Sequence, residues 1–157
     1  MKISTKGRYA LRLMIDIAQN SNQKPVSIKE VARRQEVSDK YLEQIISILN
    51  NAGYVKSIRG SQGGYLLKMP PEQYTVGMIL RLTEGSLTPV ACTSNIPAEN
   101  IYKENIPQEH FTCGRIKNCP TSIVWKKLGD AINNVVDNIT LADLIKWQDL
   151  NNGGRNE

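Results

Sequence analysis

The chain has 157 residues, 40% of them hydrophobic and 22% charged, which is ordinary for a globular protein of one domain or of one domain with an appendage. Its apolar runs are too short to span a bilayer, and charges interrupt the first apolar stretch where a signal peptide would be uniformly apolar, so we expect a cytoplasmic protein without a membrane partner. The net charge of +5 is uneven, because residues 1–70 carry 12 Lys and Arg against 5 Asp and Glu, which indicates either an anion-binding region, most often for nucleic acid, or a basic face that is merely solvated.

The first two predicted elements are helices. Apolar residues recur at helical spacing through residues 5–20, and Ser4 or Thr5 is placed to cap this helix. A proline-containing break separates it from "SIKEVARRQ", in which Ser27 and Glu30 have the spacing of a capping box. We therefore predict a second, shorter helix that begins after Ser27.

A third helix follows within a few residues. The segment "VSDKYLEQIISILNNAG" has Ser38 or Asp39 as its cap, apolar residues at helical spacing, and Gly53 as its stop signal. Two helices joined by about four residues form the helix-turn-helix layout, whose second helix fits the major groove of DNA.

The next stretch has the pattern of a β-hairpin. Residues 54–58 and 65–69 are strand-like, and the loop "RGSQGG" between them begins with Arg59 and Gly60. A hairpin directly after a helix-turn-helix is a wing, which rests on phosphates or puts an arginine into the minor groove. A short helix, "TVGMILRLTEG", then ends at Gly85.

The C-terminal half divides into a loop and two helices. Residues 86–120 look irregular, with four prolines and all three cysteines, and a loop of this length is usually functional or disordered. Helical periodicity returns over residues 121–139, and Thr140 with Asp143 is placed to cap a last helix. The predicted fold is therefore mainly α with a small β-hairpin wing. Its predicted regions are a winged helix-turn-helix DNA-binding domain (1–85), a cysteine-bearing loop (86–120), a dimerisation helix with a C-terminal helix (121–150) and a disordered tail (151–157).

Polar side chains of the third helix, with basic side chains of the first helix and the wing, are the candidates for DNA contact. Glu can accept a hydrogen bond from cytosine and Gln can pair with adenine, whereas Lys and Arg neutralise phosphates. The predicted contacts are Lys6, Arg8, Ser38, Lys40, Tyr41, Glu43, Gln44, Arg59 and Gly60. The alternative is a winged helix that binds protein and not DNA.

The long helix over residues 121–139 carries an apolar stripe. One winged module reads about one half-site, and specific binding usually needs two modules about one turn of DNA apart. The stripe can supply a symmetric dimer interface or pack within its own chain, and we expect it to do both. The predicted assembly is a homodimer on a double-stranded DNA operator.

The three cysteines, Cys92, Cys113 and Cys119, are separated by 20 and 5 intervening residues. Soft thiolates suit zinc, copper or an iron–sulfur cluster, but the spacing matches neither a zinc ribbon nor a ferredoxin run. Unremarkable free cysteines are the alternative, which is weakened because all three lie in one proline-rich loop. With one histidine, His110, and no phosphate loop, the sequence gives no sign of an enzyme.

Four segments together resemble the Rrf-two (Rrf2) family of bacterial regulators: "MKISTKGRYALRLMIDIA", "VSDKYLEQIISILNNAGYVKSIRGSQGGYLL", "VGMILRLTEGSLTPVAC" and "VWKKLGDAINNVVDNITLADL". The resemblance covers residues 1–145 and implies a dimeric winged-helix transcription factor, usually a repressor. Many members carry a cluster on three cysteines before the dimerisation helix, and here those ligands would be Cys92, Cys113 and Cys119. "EGSLTPVAC" is similar to the IscR-like (iron–sulfur cluster regulator) branch, whereas the CymR-like branch lacks the cysteines.

Two features depart from the family's pattern. The gap between Cys92 and Cys113 is longer than is usual, and Ser122 stands where IscR-like proteins can place a histidine. The fourth cluster ligand is therefore open, with His110, Glu109 or another loop carboxylate as candidates.

The sequence and the resemblance together predict a homodimeric DNA-binding regulator that senses iron–sulfur cluster, iron or redox status. The resemblance implies a loop-bound iron–sulfur cluster, 2Fe–2S in preference to 4Fe–4S. The alternative keeps the DNA binding and makes the cysteines a thiol-redox switch or a zinc site.

Overall fold

The structure, a computed structural model, describes residues 2–21, 24–93 and 113–153. Its helices are α1 (Thr5–Asn20), α2 (Ile28–Gln35), α3 (Asp39–Asn51), α4 (Val76–Glu84), α5 (Thr121–Asp137) and α6 (Leu141–Gly153). The strands β1 (Val55–Ile58) and β2 (Gly64–Leu67) form one antiparallel hairpin, and short 3-10 turns occupy Pro71–Gln73, Ala91–Thr93 and Ile116–Asn118. The predicted fold, mainly helical with a hairpin wing, is confirmed.

The hydrophobic core is built around α1. Its fully buried face is supplied by Ala10, Leu13, Met14 and Ile17, which belong to one cluster with Leu42, Ile45, Ile46 and Leu49 of α3. These residues recur every three or four positions, so each helix presents one continuous apolar stripe. The core therefore uses the inner faces of α1 and α3 and leaves the outer face of α3 to solvent.

Three predicted helix caps are formed. The Ser4 hydroxyl accepts a hydrogen bond from the amide of Gly7 (3.2 Å) at the start of α1. Thr140 and Asp143 cap α6 reciprocally, since the Thr140 amide donates to the Asp143 carboxylate (2.9 Å) and the Asp143 amide donates to the Thr140 hydroxyl (3.2 Å). Ser38 caps α3 in the same manner as Ser4 caps α1.

The predicted capping box of α2 is wrong, because the Ser27 side chain makes no capping hydrogen bond. The residue before it, Val26, instead pairs with Tyr65 of β2 through two backbone hydrogen bonds of 2.9 Å each. This pairing fixes the entry into α2 and extends the wing by one bridge. At the other end of the chain, α6 continues through residues 151–153, which the sequence assigned to a disordered tail, and residues 154–157 lie outside the described chain.

The base of the wing is held by one buried hydroxyl. Tyr74 is fully buried, and its hydroxyl donates to the carbonyl of Tyr54 at 2.6 Å. The same oxygen accepts hydrogen bonds from the amides of Lys68 (3.2 Å) and Met69 (2.9 Å), which follow β2. A single side chain thus joins the residues that precede β1 to those that follow β2.

The backbone around Tyr74 also holds the corner between α5 and α6. The Tyr74 carbonyl accepts from the amide of Leu141 (2.8 Å), and the Val76 amide donates to the carbonyl of Ile139 (2.9 Å). Residues 74–76 therefore connect the wing on one side to the C-terminal helices on the other.

We predict that Tyr74→Phe lowers the free energy of unfolding by about 1–3 kcal/mol, because it leaves buried backbone groups without their partner. Urea denaturation followed by circular dichroism measures the change. Tyr65→Phe, on the same hairpin and half-buried, is the matched control and should change the free energy by less than about 0.5 kcal/mol. Equal losses in the two variants would contradict the role assigned to the hydroxyl.

Candidate nucleic-acid interface and cysteine-bearing turns

The connection between α2 and α3 is tight and regular. Glu36 adopts a left-handed conformation (φ 54°), and the amide of Val37 donates to the carbonyl of Ala32 (3.1 Å). A left-handed residue ends α2 and turns the chain within three residues, so that α3 begins at Asp39. This is the predicted helix-turn-helix geometry.

The outer face of α3 carries most of the predicted base-reading side chains. Lys40, Glu43 and Gln44 are exposed, whereas Tyr41 is half-buried. The Ser38 hydroxyl accepts from the amide of Tyr41 (3.2 Å), so it serves as the helix cap as well as standing at the start of the reading helix.

The predicted backbone contacts lie on α1 and the wing. Lys6 is half-buried and Arg8 is exposed, and the Arg8 guanidinium donates to the hydroxyl of Thr5 (3.3 Å). Arg59 and Gly60 are exposed in the wing loop, where Gly60 has a φ of 118° that other residues rarely adopt. Each of these cations is accessible to a phosphate, and the wing loop presents its arginine at the tip of a glycine turn.

A buried acidic residue organises the helix-turn-helix from behind, and sequence reasoning missed it. Asp16 of α1 is only 3% exposed. Its carboxylate accepts from Arg34 Nη2 (2.5 Å) and from Gln35 Nε2 (2.9 Å), both at the end of α2. The hydrogen bond to Asp16 raises the pKa of the Arg34 guanidinium, so this side chain stays positively charged. The signal available in the sequence was a lone acidic residue beside the apolar stripe of α1.

The same network reaches the surface beside α3. Gln35 accepts a hydrogen bond from Nε of Arg12 (2.7 Å), and the Arg12 guanidinium lies over the Tyr9 ring at 5.0 Å from its centroid. Tyr9 in turn meets Tyr41 edge to face, with ring centroids 6.0 Å apart. The first turn of α3 is therefore braced against α1 by a chain of polar and aromatic contacts.

The three cysteines occupy two turns near α5. Cys92 lies in the 91–93 turn, which packs on α5, and Cys113 and Cys119 flank the 116–118 turn, which leads into α5. All three are free and partly exposed. Cys119 Sγ lies 3.1 Å from the Thr121 hydroxyl, and this hydrogen bond lowers the pKa of the Cys119 thiol below its ordinary value.

The donor chemistry of the cysteines suits a soft metal or a cluster, but their arrangement does not assemble one. Within residues 2–21, 24–93 and 113–153, no three side chains of His, Cys, Asp and Glu are grouped closely enough to hold a metal ion. The candidate fourth ligands Glu109 and His110 lie outside the described residues. The roles of the three cysteines as ligands therefore stay a prediction.

Helix α5 leaves much of its apolar surface uncovered. Four of its apolar side chains, Ile123, Val124, Leu128 and Val135, are exposed, whereas its other large apolar side chains are half-buried. Only Ser122 and Gly129 of this helix are buried. Leu128 and Val135 line an open apolar groove of about 400 Å³ together with Ile3 and Leu87. Within the described chain α5 packs mainly on α4 and on the 91–93 turn, so its other face is available to a partner.

No helix in the described ranges is both long enough and apolar enough to cross a bilayer.

Comparison with known proteins agrees with this geometry. A family model described as "Rrf2: Iron-dependent Transcriptional regulator" matches residues 3–147. The curated HTH-type transcriptional regulator CymR of Bacillus subtilis is 38% identical over 149 residues, which are 95% of this chain and 93% of that protein.

Solved structures of similar proteins have the same fold. The T. potens IscR structure is 40% identical, has a TM-score of 0.68, and is matched over 94% of this chain and 88% of its own. The Staphylococcus aureus CymR structure in its oxidized form is 38% identical, has a TM-score of 0.66, and is matched over 92% of this chain and 96% of its own. These two structures thus resemble this chain about equally in sequence identity.

These relatives are transcriptional regulators, which confirms the predicted DNA-binding regulator and the prediction that the protein is not an enzyme. The chain belongs to the Rrf2 family of transcriptional regulators.

Proposed function

We propose that this regulator is a homodimeric repressor that binds a double-stranded operator through α3 and the wing, and that senses iron–sulfur or redox status through Cys92, Cys113 and Cys119. The observation that carries the proposal is the position of the cysteine-bearing turns. Both turns touch or lead into α5, the helix whose uncovered apolar face suits a second copy of the chain. A change at the thiols would therefore act on the helix that relates the two DNA-binding units.

Operator reading is assigned to the exposed polar residues of α3 and to the wing. Gln44 has the amide that pairs with adenine, and Glu43 has the carboxylate that accepts from cytosine. Arg59 at the wing has the geometry for a phosphate or the minor groove. The bracing of Tyr41 by Tyr9 supports this assignment, because it fixes the start of α3 before DNA arrives.

These two kinds of contact respond differently to substitution. Arg59→Ala should weaken binding about equally for all sequences and reduce the slope of log affinity against log salt by about 1, because it removes one phosphate contact. Gln44→Ala should relax discrimination at one base pair by about 1–3 kcal/mol, because it removes a base contact. Fluorescence anisotropy with a duplex enriched from a random pool by the wild-type protein measures both. Lys127→Ala, an exposed cation on α5, is the control and should change neither.

The homodimer is supported by the apolar face of α5. A symmetric dimer presents the same patch from both protomers, and an exposed apolar stripe on a helix that extends from the core provides such a patch. The groove beside Leu128 and Val135 can receive side chains from the partner's helix.

We predict that Leu128→Glu shifts the protein from dimer to monomer, because it places a charge in the middle of the apolar face. Sedimentation equilibrium measures the change. Leu150→Glu on α6 is the matched control, since Leu150 is an equally large apolar residue that is 73% exposed, and it should leave the dimer intact. A wild-type protein that sediments as a monomer would refute the homodimer.

Cluster sensing is supported by three thiols on two turns that adjoin α5 and by the family resemblance. Cys92, Cys113 and Cys119 would hold the cluster, which we assign as 2Fe–2S, with the fourth ligand left to His110 or a loop carboxylate. When bound, such a cluster supplies an oxidisable, iron-containing link between the thiolates. The chain's own contribution is to place the thiols on the 91–93 and 116–118 turns, where a link between them constrains the N-terminal end of α5.

A thiol-redox switch is the second candidate, and a specific observation favours it. Hydrogen bonding to the Thr121 hydroxyl lowers the pKa of Cys119, which increases the thiolate fraction and with it the reactivity toward oxidants. The similar regulator CymR of Staphylococcus aureus has a solved structure in an oxidized form, which supports the redox candidate.

One experiment separates the two candidates. Protein purified without oxygen, or reconstituted with iron and sulfide, should show visible sulfur-to-iron absorption and bind iron and sulfide in equal amounts. Cys92→Ala should lose both, and Thr88→Ala in the same segment should retain them. Operator affinity is then compared for cluster-loaded protein, cluster-free protein and Cys92→Ala.

A colourless protein without iron, whose operator affinity still falls on peroxide treatment and recovers with a reductant, would replace the cluster by the thiol switch. Equal affinity in every state would leave a regulator without a sensor in this segment.

A further inference from the structure

We propose that Arg81 is a positioning residue that sets the angle of α5 against the DNA-binding unit and thereby the spacing of operator half-sites that the dimer accepts. This inference rests on the proposed homodimer, in which α5 relates the two reading helices. It assigns to a residue of α4 a part in the choice of operator.

The contacts of Arg81 join α4 to the C-terminal end of α5. Its guanidinium donates hydrogen bonds to both carboxylate oxygens of Asp137, from Nη1 to Oδ1 (2.6 Å) and from Nη2 to Oδ2 (2.8 Å). Nη2 also donates to Oδ1 of Asn133, one turn earlier on α5, at 2.6 Å. A planar fork that binds two groups one turn apart fixes the direction of a helix and not only its distance.

The packing around the Arg81 guanidinium restricts movement of α5 against α4. Gly77, one turn before Arg81, lies so close to α5 that an added Cβ would collide with the carboxylate of Asp137 and with the Arg81 guanidinium. One residue earlier, the Val76 amide donates to the carbonyl of Ile139, just beyond α5. The C-terminal end of α5 is thus held by side chain, backbone and close approach together.

The rest of α5 also contacts the chain, since its buried residues, Ser122 and Gly129, lie at its N-terminal end and in its middle. Its remaining main contact in the described chain is with the 91–93 turn, where Pro89 lies against Gly129. The residues along its outer face are exposed. Arg81 and Asp137 therefore form a pivot at one end of α5, and the 116–118 turn with Cys119 lies at the other end.

Because α5 is long, a small change in its angle at the pivot displaces its far end by several ångströms. Seventeen residues of α-helix span about 25 Å, so a rotation of about 8° at the pivot moves the far end by about 3.5 Å. This is close to the rise of one base pair, about 3.4 Å. A dimer built on α5 would consequently change its preferred half-site spacing if the angle were no longer fixed.

Stability alone does not explain the arrangement. The side chains of Arg81 and Asp137 are 39% and 43% exposed, and ion pairs at such exposure add little to the free energy of folding. The guanidinium instead fixes the direction of α5, because Lys or Met at the same position cannot hydrogen-bond Asp137 and Asn133 with two donors in a fixed geometry.

The chain contains a matched control for this ion pair. Lys126 and Asp130 form an i,i+4 pair at 2.8 Å that lies wholly within α5. Lys126→Met removes a comparable surface ion pair from the same helix and leaves the joint intact.

The test uses duplexes enriched from a random pool by the full-length wild-type protein, together with copies in which one base pair is added or removed between the half-sites. Wild type and Lys126→Met should prefer the selected spacing by about tenfold. Arg81→Met should remain a dimer with nearly unchanged thermal stability, and its preference should shrink to about threefold or less, or move to another spacing. Arg81→Lys should lie between the two. Asp137→Asn keeps the shape of the side chain but weakens its hydrogen bonds with Arg81. It provides the same measurement if Arg81→Met does not fold.

An unchanged spacing preference in Arg81→Met or Asp137→Asn would overturn the inference, and so would a loss of affinity by one common factor for all three duplexes. Those results would leave the proposed function standing. Failure of the wild-type protein to enrich any duplex, or its behaviour as a monomer, would instead overturn the proposed function and this inference with it.

Discussion

The hydrogen bonds of residues 74–76 are the constraint on which the arrangement of this protein depends. The buried Tyr74 hydroxyl binds three backbone groups at the base of the wing, and the backbone of the same segment pairs with the corner between α5 and α6. Each of these buried groups costs free energy if left without a partner, so the wing and the corner cannot shift independently at low cost. The hairpin, which we propose contacts DNA, and the C-terminal helices are thereby parts of one hydrogen-bonded unit.

A second polar network prepares the reading helix. Asp16 of α1 is buried and accepts hydrogen bonds from Arg34 and Gln35 at the end of α2. Gln35 also accepts a hydrogen bond from Arg12, which lies over Tyr9, and Tyr9 packs on Tyr41. A buried carboxylate is stable only with such partners, so the network fixes α2 and α3 against α1. The outer face of α3 is then not needed for packing and is available for the proposed DNA contacts.

Helix α5 has the opposite character, because it is anchored at one end and uncovered along much of its length. The hydrogen bonds of Arg81 to Asp137 and Asn133 hold its C-terminal end. The 116–118 turn leads into its N-terminal end, and the 91–93 turn packs against it. Four of its apolar side chains are exposed in the single chain, and the proposed dimer would cover them. The proposed dimer, the proposed sensor and the proposed control of half-site spacing therefore all involve the same helix.

The sequence by itself determined the elements of this protein, because periodicity, caps and turn residues act locally: the helices, the hairpin, the cap residues Ser4 and Thr140, and the family resemblance all follow from short segments. Tertiary structure decided what depends on contacts between distant segments. Ser27 does not cap α2 because Val26 pairs with Tyr65, and Asp16 is buried because α2 brings Arg34 and Gln35 to it. The hydrogen bonds of Arg81 to Asp137 and Asn133 join residues more than fifty positions apart. The sequence names the three cysteines, but whether they meet depends on how two separate turns pack against α5, and local patterns carry no information about such long-range packing.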